Sequence, residues 1–389
     1  MKKKIVHICL IAVIIVITAF FIHYNKVSIT KEEEERGIFI SYIEYTKYFD
    51  NKNKEEIQLE IGNMISTIKE YGFNFIILQV RPFSDAIYYS NIFPSSWTVA
   101  SDEGKKLPLD ILDYFIKIAH QNDIKLHAWI NPYRIRNDTD TSKISEENPA
   151  YSWLDTNHVK VIEDRGIYYN PASKEVEDLI IRGVEEIVMN YDVDGIHMDD
   201  YFYPDDTIDL ENYDEFKNTI SLTDYRLSNT NHLIKSIYQK IKEMKPQVLF
   251  GISPDGNIEN NYEHHYADVK TWTQEEGYID YIMPQIYYGF FNESKPFIQT
   301  LNEWKSLVKI DIKLIPALAL YKVGTIDEYA LSGKKEWIEH SNIITNQIKV
   351  IRNQKKIRGY SLFRYDYLVN EENEYLKLEQ KSIKKLNNR

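Results

Sequence analysis

The segment "VDGIHMDDYFYP" (residues 193–204) places two adjacent aspartates at the end of a short apolar run. Side chains alternate between the two faces of a strand, so Ile196 and Met198 are predicted to share one face. His197 and Asp199 then share the other face. A buried carboxylate is costly unless it is hydrogen-bonded or paired. The segment therefore predicts a buried strand that carries a functional carboxylate at its end.

Apolar runs of similar length recur along the chain and alternate with segments of helical periodicity. The eight strand candidates are residues 37–45, 73–80, 124–133, 193–201, 247–254, 278–288, 312–321 and 357–365. The eight helix candidates are residues 54–71, 109–121, 175–190, 229–244, 265–276, 296–308, 335–353 and 371–386. This alternation predicts an α/β fold, a single (β/α)8 TIM barrel over residues 37–389.

A doubly wound open sheet is the alternative fold, because alternation alone does not close a barrel. No glycine-rich phosphate loop follows the first strand, which argues against the nucleotide-binding version of that sheet. The formal net charge of −12 also argues against nucleic acid as the main partner. The sequence therefore favours a barrel whose ligand is neither a nucleotide nor a nucleic acid.

The N-terminal 25 residues differ from the rest of the chain. Three lysines precede a mostly apolar stretch, residues 5–22, with no small-x-small cleavage site after it. This pattern favours an uncleaved signal-anchor helix in residues 1–25 over a cleaved signal peptide. Residues 26–36 are predicted to be a polar spacer. The lysines place the N-terminus in the cytoplasm, so the barrel is expected outside it, on the cell membrane, or secreted if the segment is cleaved.

Polar or aromatic side chains stand at the predicted ends of six of the eight strands. They include Gln79, Arg81 and Asp85; His127, Trp129, Asn131, Tyr133 and Arg134; Asp199 and Asp200; Asp255; Gln285, Tyr287 and Tyr288; and the run "FRYDY" at 363–367. In a TIM barrel these ends meet at the face that carries the active site. A pocket of carboxylates, amides and aromatic rings suits a carbohydrate, and glycoside cleavage usually needs two carboxyl groups.

Asp199 is the best single candidate for catalysis. Its alternative role is structural, as an aspartate at the barrel mouth that bonds Arg81 or Arg134. The adjacent His264 and His265 are possible metal ligands, but no HExxH or similar ligand spacing occurs, so no metal or cofactor is expected. The two histidines are interpreted as the start of a helix instead. No GxSxG motif supports a serine nucleophile.

Five collinear motifs resemble the glycosyl-hydrolase-like family 10, over roughly residues 36–370. They are "RPFSDAIYYSNIFPSSW" (81–97), "HAWINPYRI" (127–135), "DGIHMDDYFYP" (194–204), "GISPDGNI" (251–258) and "DYIMPQIYYG" (280–289). The resemblance implies an exported or surface-bound TIM barrel that acts on polysaccharide. It also implies a link to cell-wall glycosidases, some of which cleave peptidoglycan glycan strands that lack stem peptides.

The resemblance also implies a set of site residues. They are Arg81, Asp85, Asn131, Tyr133, Arg134, Asp199, Asp200, Tyr201, Gln285 and Tyr287. Asp255 departs from the family, which usually has an aromatic residue there, and is either a drifted loop residue or a second carboxylate. Compared with chitinase-type barrels, Tyr201 stands where the acid glutamate would be. The general acid is therefore open, with Asp200, Asp255, Asp85 and Glu44 as candidates in falling order.

Two functions remain open at this point. The first is an extracytoplasmic glycoside hydrolase, with Asp199 and Asp200 as the catalytic pair and His197 orienting Asp199 by a hydrogen bond. The second is a catalytically silent carbohydrate-binding protein on the same barrel, since one fold hosts both. In either case aromatic residues are expected to stack on sugar rings. The candidates are Trp97, Trp129, Tyr133, Tyr201 and Tyr287.

Overall fold

The structure is a computed structural model that describes residues 34–200, 202–370 and 373–388. The predicted anchor (1–25), nearly all of the predicted spacer and the site candidate Tyr201 lie outside these residues. Within the described part of the chain, no helix has the length and apolar character needed to span a bilayer.

Twelve strands are found in the described residues. They are β1 (Glu35–Ile40), β2 (Phe75–Arg81), β3 (Lys125–Ile130), β4 (Arg134–Arg136), β5 (Val159–Ile162), β6 (Gly166–Tyr169), β7 (Gly195–Met198), β8 (Leu249–Ile252), β9 (Tyr281–Ile282), β10 (Lys313–Leu314), β11 (Ala317–Ala319) and β12 (Gly359–Phe363). Nine form one curled, wholly parallel sheet in the order β10-β9-β8-β7-β3-β2-β1-β12-β11. The α/β prediction is confirmed, and each predicted strand segment contributes to this sheet.

The two ends of the sheet order belong to one extended segment. β10 pairs with β9 and β11 pairs with β12, and between them lie Ile315 and Pro316. The amide of Ala317 donates to the carbonyl of Pro284 (2.9 Å), while the carbonyl of Pro316 accepts from Ser361 (3.0 Å). Proline has no N–H to donate, which accounts for the interruption of this strand. The predicted barrel requires the two ends of the sheet to be joined through one segment in this way.

The helices lie between the strands. They are α1 (Tyr42–Tyr48), α2 (Lys54–Glu70), α3 (Trp97–Ala100), α4 (Ile111–His120), α5 (Lys174–Asn190), α6 (Leu210–Tyr213), α7 (Leu222–Met244), α8 (Ile258–Glu263), α9 (Val269–Gln274), α10 (Phe297–Leu307), α11 (Glu336–Glu339), α12 (Ile343–Arg352), α13 (Asp366–Val369) and α14 (Glu374–Asn387). Side chains cap several of them, as when Asp110 accepts from the Asp113 amide (3.0 Å) to begin α4. The helix expected over 335–353 is split into α11 and α12.

A small antiparallel sheet, in the order β4-β6-β5, was not predicted and follows β3. It arranges the long loop between β3 and α5. This sheet matters for function because Arg134 and Arg136, at the ends of β4, reach two neighbouring clefts described below.

Alternation along the strands produces two apolar layers. Ile38 and Ile196 belong to the large cluster that includes the helices, whereas Phe39 and Trp129 belong to a smaller cluster inside the curl of the sheet. His197 lies on the inner side, since its ring packs edge-on against Phe39 at 5.6 Å. The orientation predicted for β7 is therefore the one observed.

Candidate active site

A cleft of about 420 Å³ opens where the strands end. Its walls come from segments that follow strands all around the sheet. The lining residues are Phe39, Ser41, Tyr42, Ile43, Gln79, Trp129, Arg134, Asp199, Asp200, Ser253, Gln285, Tyr287, Tyr321, Phe363, Arg364 and Tyr367. We call it the central cleft. Both predicted catalytic carboxylates line it.

Asp199 is held at the floor of the central cleft by neutral N–H donors. The side-chain nitrogen Nδ2 of Asn131 donates to both carboxylate oxygens of Asp199, at 2.8 Å to Oδ1 and 2.6 Å to Oδ2. The indole Nε1 of Trp129 donates to Oδ2 at 3.1 Å. Hydrogen bonds of this kind favour the ionised carboxylate. Asp199 is thus held in a fixed orientation in an open cleft.

A chain of amides orients Asp199 from behind. The backbone N–H of Tyr42 donates to Gln79 Oε1 (3.0 Å), and Gln79 Nε2 donates to the side-chain oxygen Oδ1 of Asn131. Because its oxygen accepts from Gln79, the amide nitrogen of Asn131 faces Asp199. Three strands, β1, β2 and β3, thereby fix the position of one carboxylate.

Asp200 lies in a different environment. It is half-buried, and its Oδ1 accepts from Gln285 Nε2 at 3.1 Å, while the same Gln285 nitrogen donates to the Ser253 carbonyl at 2.9 Å. Burial raises the pKa of Asp200; the charge of His265 lowers it, and that of Asp255 raises it. A raised pKa favours the protonated form that a general acid needs.

His265 and Asp255 form an ion pair beside Asp200. Nε2 of His265 lies 3.7 Å from Asp255 Oδ2, and Asp255 also accepts from the Asn257 amide (2.7 Å) and the Tyr288 hydroxyl (3.3 Å). Burial alone would raise the pKa of Asp255, but these bonds leave it below its usual value. Burial alone would lower the pKa of His265, but the carboxylates raise it. The prediction that His264 and His265 start a helix is wrong, because they follow the end of α8 and precede α9, and it missed this contact.

The sequence comparison with known families agrees with this geometry. The sequence model of the family described as "Glycosyl hydrolase-like 10" matches residues 34–338. The chain belongs to this family. Glycosyl hydrolase YngK of Bacillus subtilis is 33% identical over 353 residues, which cover 82% of this chain and 67% of YngK. Glycosyl hydrolase DigH of Escherichia coli K12 is 31% identical over 335 residues, 77% of this chain and 74% of DigH.

Solved structures of glycoside hydrolases share the fold. The PgaB (BpsB) glycoside hydrolase domain from Bordetella bronchiseptica superposes with a TM-score of 0.58 at 12% identity, over 87% of this chain and 96% of that domain. A beta-galactosidase from Marinomonas ef1 also reaches 0.58, at 10% identity, over 91% of this chain and 59% of the enzyme. At such identities the likeness concerns the fold. The predicted family is confirmed, and the predicted enzyme class agrees with the names of the family and its members.

Within this glycosyl hydrolase-like family member, six of the thirteen predicted site residues meet in one place. The central cleft brings together Trp129, Arg134, Asp199, Asp200, Gln285 and Tyr287. Asn131 lies directly behind them. Trp129 contributes a largely buried floor, 5% exposed, and Tyr287 packs edge-on against Tyr321 at 5.7 Å in the wall. Tyr201 lies outside the described residues.

Arg81 lies away from the central cleft. A bulge between Gln79 and Arg81 in the pairing of β2 with β3 shifts the alternation by one residue. The guanidinium of Arg81 therefore packs on the Phe93 ring at 4.3 Å and lies close to Gly183 of α5. The expectation that Arg81 contacts substrate in this cleft does not match its position, and neither does the alternative in which it bonds Asp199.

Asp85 is fully buried beside the loop that begins α3. Its Oδ2 accepts from the Trp97 amide at 3.1 Å. Burial raises the pKa of Asp85 to about 7, against an opposing hydrogen bond from Ser96. This position does not suit the acid of a reaction at Asp199. Glu44, the last acid candidate, is also buried, where it accepts from Ser41 Oγ (2.6 Å) and binds Arg364.

His197 and Tyr133 are parts of the scaffold. The two ring nitrogens of His197 lie 2.9 Å from the Tyr281 hydroxyl and 2.9 Å from Ser253 Oγ. The orienting bonds to Asp199 that were expected from His197 come instead from Asn131 and Trp129. Tyr133 is 2% exposed and belongs to the large apolar cluster, so it does not form a sugar platform in this structure.

Sequence reasoning missed much of the cleft wall. Ser41 and Tyr42 follow β1 and Tyr321 follows β11, and these three were not predicted, whereas Arg364 and Tyr367 after β12 belong to the predicted run 363–367. All stand just after a strand, so position alone could have drawn attention to them. In the described residues no group of three or more histidine, cysteine or acidic side chains is arranged to hold a metal ion.

Proposed function

We propose that the protein hydrolyses O-glycosidic bonds of a bacterial cell-wall or surface polysaccharide in the central cleft. The observation that carries the proposal is the unlike environment of two adjacent carboxyl groups. Asp199 accepts several N–H bonds that favour its charged form, whereas burial raises the pKa of Asp200. Environments that drive two carboxyl groups apart in pKa allow one to act as acid and the other as base or nucleophile.

The roles of the Asp199 and Asp200 carboxyl groups follow from the form, ionised or protonated, that each environment favours. Asp200, with its raised pKa, gives a proton to the leaving glycosidic oxygen. Asp199 faces the oxocarbenium-like carbon as nucleophile or as the carboxylate that stabilises its charge. Gln285 holds Asp200 by one hydrogen bond and Asn131 holds Asp199 by two, so neither group must reorganise during the reaction.

The cleft wall offers the surfaces that a sugar needs. Tyr42, Tyr287, Tyr321 and Tyr367 present rings, and Arg134 presents a guanidinium that packs on the Phe83 ring at 4.7 Å. Sugar C–H faces pack on such rings. The resemblance to cell-wall glycosidases favours peptidoglycan glycan strands without stem peptides as the substrate.

The direct test is hydrolysis of purified wall glycans. Strands with and without stem peptides are incubated with the protein, and the products are identified by mass spectrometry. Shorter glycans with new reducing ends are expected from the stripped strands. If wild-type protein binds a wall glycan but releases no product, the chain is a carbohydrate-binding protein on the same fold, and the hydrolase proposal is wrong.

We also propose that residues 1–25 anchor the protein in the cell membrane with the catalytic domain outside the cytoplasm. Three lysines before an apolar stretch support this arrangement. The full-length chain is expected in the membrane pellet after a carbonate wash, and protease added to spheroplasts should degrade the domain. A soluble mature form that begins near residues 24–30 would show a cleaved signal instead.

A further inference from the structure

A second cleft lies next to the central cleft and has a volume of about 600 Å³. It is formed by the loop that contains α3 and by the segment after β4. The lining residues are Trp97, Ser101, Asp102, Glu103, Arg136, Asp138, Ser142, Lys143, Ile144 and Ser145. We call it the distal cleft. Trp97, a predicted sugar-stacking residue, lines it, but the proposed reaction does not use this cleft.

A row of aromatic rings joins the two clefts. Tyr42, in the wall of the central cleft, packs edge-on against Phe83 at 5.2 Å between ring centroids. Phe83 in turn packs against Trp97, in the wall of the distal cleft, at 5.3 Å. Arg134 lies over Phe83 and Arg136 over Trp97, at 4.7 and 5.4 Å. Phe83 itself is only 1% exposed, so this row is a buried link between the walls of two adjacent clefts, and a polymer would pass above it to enter both.

The charged groups of the distal cleft neutralise one another. Asp138 pairs with Arg136 at 3.0 Å and with Lys143 at 3.3 Å. Glu103 accepts from the Ser145 amide (2.6 Å) and from Asn148 (3.0 Å), and burial raises its pKa. Cations that already have carboxylate partners do not select an anionic ligand. The chemistry therefore favours an uncharged, hydroxyl-rich ligand.

Two buried polar atoms in the walls of the distal cleft have no hydrogen-bond partner within the described chain. They are Nε1 of Trp97 and Oγ of Ser145. An indole N–H can only donate, so its partner must be an oxygen such as a hydroxyl, ether or amide carbonyl. Leaving such groups buried and unpaired is unfavourable. A sugar that reaches them after a small side-chain adjustment would recover that free energy.

We propose that the distal cleft is a remote subsite that binds an uncharged sugar of the same glycan whose bond is cleaved in the central cleft. This inference rests on the proposed function, and it makes the protein selective for long strands over short ones. Trp97 and Ser145 are assigned as its hydrogen-bonding residues.

Affinity as a function of glycan length tests the subsite. The Asp199→Asn chain is titrated by calorimetry with a disaccharide and with long strands, both prepared from peptidoglycan stripped of stem peptides. Long strands are expected to bind more tightly. Trp97→Phe, which keeps a ring, and Ser145→Ala should each reduce that gain by about threefold to tenfold, the value of one neutral hydrogen bond, and leave the disaccharide unchanged.

Trp153→Phe is the matched control, because Trp153 is a partly buried tryptophan that packs on Tyr169 and lines neither cleft. If long strands bind no better than the disaccharide, or if the gain survives both substitutions, the distal subsite is wrong while the hydrolase proposal stands. If wild-type protein neither binds nor cleaves any glycan, the proposed function fails and the subsite with it.

Discussion

Two buried aspartates ten residues apart have opposite surroundings. Asp209 is fully buried and binds the guanidinium of Arg226, which donates from Nε to both carboxylate oxygens (3.1 and 3.0 Å) and from Nη2 to Oδ1 (2.6 Å). Asp199, 4% exposed, is held by the amide of Asn131 and the indole of Trp129 and faces an open cleft. Burial alone therefore does not mark a functional carboxylate.

The difference lies in how the negative charge is compensated. The charge of Asp209 is neutralised by a cation in a fixed geometry, which suits a structural tie between the loop after β7 and α7. The neutral groups of Asn131 and Trp129 orient Asp199 in the open cleft, where its charge can act on a cation that develops there. Substitutions at buried aspartates test whether a cation-paired aspartate stabilises the fold while an aspartate held by neutral donors supports catalysis.

The largest effect is expected for Asp199→Asn, which removes the charge at nearly constant shape. Turnover should fall by about four orders of magnitude, equivalent to about 5 kcal/mol. Glycan affinity should stay within about tenfold, because ground-state contacts come mostly from other residues. Single-turnover hydrolysis and thermal unfolding measure both quantities, with the exposed Asp155→Asn as control. A variant that keeps more than about a tenth of wild-type turnover would make Asp199 structural.

Asp209→Asn should instead destabilise the fold, because it leaves the Arg226 cation buried without its carboxylate. The unfolding free energy is expected to fall by about 3 kcal/mol, while turnover per folded molecule changes little. Chemical denaturation provides the measurement. Asp214→Asn breaks an exposed pair with Lys217 and should cost less than about 1 kcal/mol. Equal losses in the two variants would remove the distinction between buried and surface pairs.

The pH dependence of turnover should reflect the charged groups around Asp200. A general acid is active while protonated, so turnover falls as pH rises through its pKa. Asp255→Asn removes a negative neighbour and should move this alkaline limb to lower pH. His265→Gln removes a positive neighbour and should move it to higher pH.

The neighbouring His264→Gln is the control for this pair, since His264 is exposed and should leave the limb in place. Shifts in the same direction for Asp255→Asn and His265→Gln would contradict the assignment of Asp200 as the acid. Opposite shifts would support it, because a general loss of structure cannot produce them.

Asp85 is a third kind of buried carboxyl group, away from the central cleft and from Arg226. Its pKa is raised from the ordinary value to about 7 by burial, so the folded chain keeps a proton that the unfolded chain releases. The associated stabilisation is complete below the unfolded pKa and is lost as pH rises through about 7.

Asp85→Asn should remove this pH dependence. As the pH rises from about 4 to about 8, the unfolding free energy should fall in wild type. In the variant this fall is expected to be smaller by at least about 1 kcal/mol. Urea denaturation at the two pH values measures the difference, again with Asp155→Asn as control. Parallel pH profiles for wild type and Asp85→Asn would show that Asp85 is already ionised in the folded protein.

Local patterns in the sequence were enough for the α/β class, the strand segments, the family and the place of Asp199. Alternation has a period of two residues along a strand, so the inward position of His197 and Asp199 can be derived from neighbours in the chain. The motif around Gln285 likewise led to a residue that lines the central cleft. These properties depend on short stretches and survive without knowledge of the rest of the fold.

Only the tertiary structure decided which polar residues share the cleft and which carboxyl group is tuned as an acid. A one-residue bulge in β2 turned Arg81 toward α5, and no local pattern announces such a shift. The pKa of Asp200 depends on Asp255 and His265, more than fifty residues away in the chain. Electrostatic interactions and burial act through space, so they follow from the packing of distant loops and not from spacing along the sequence.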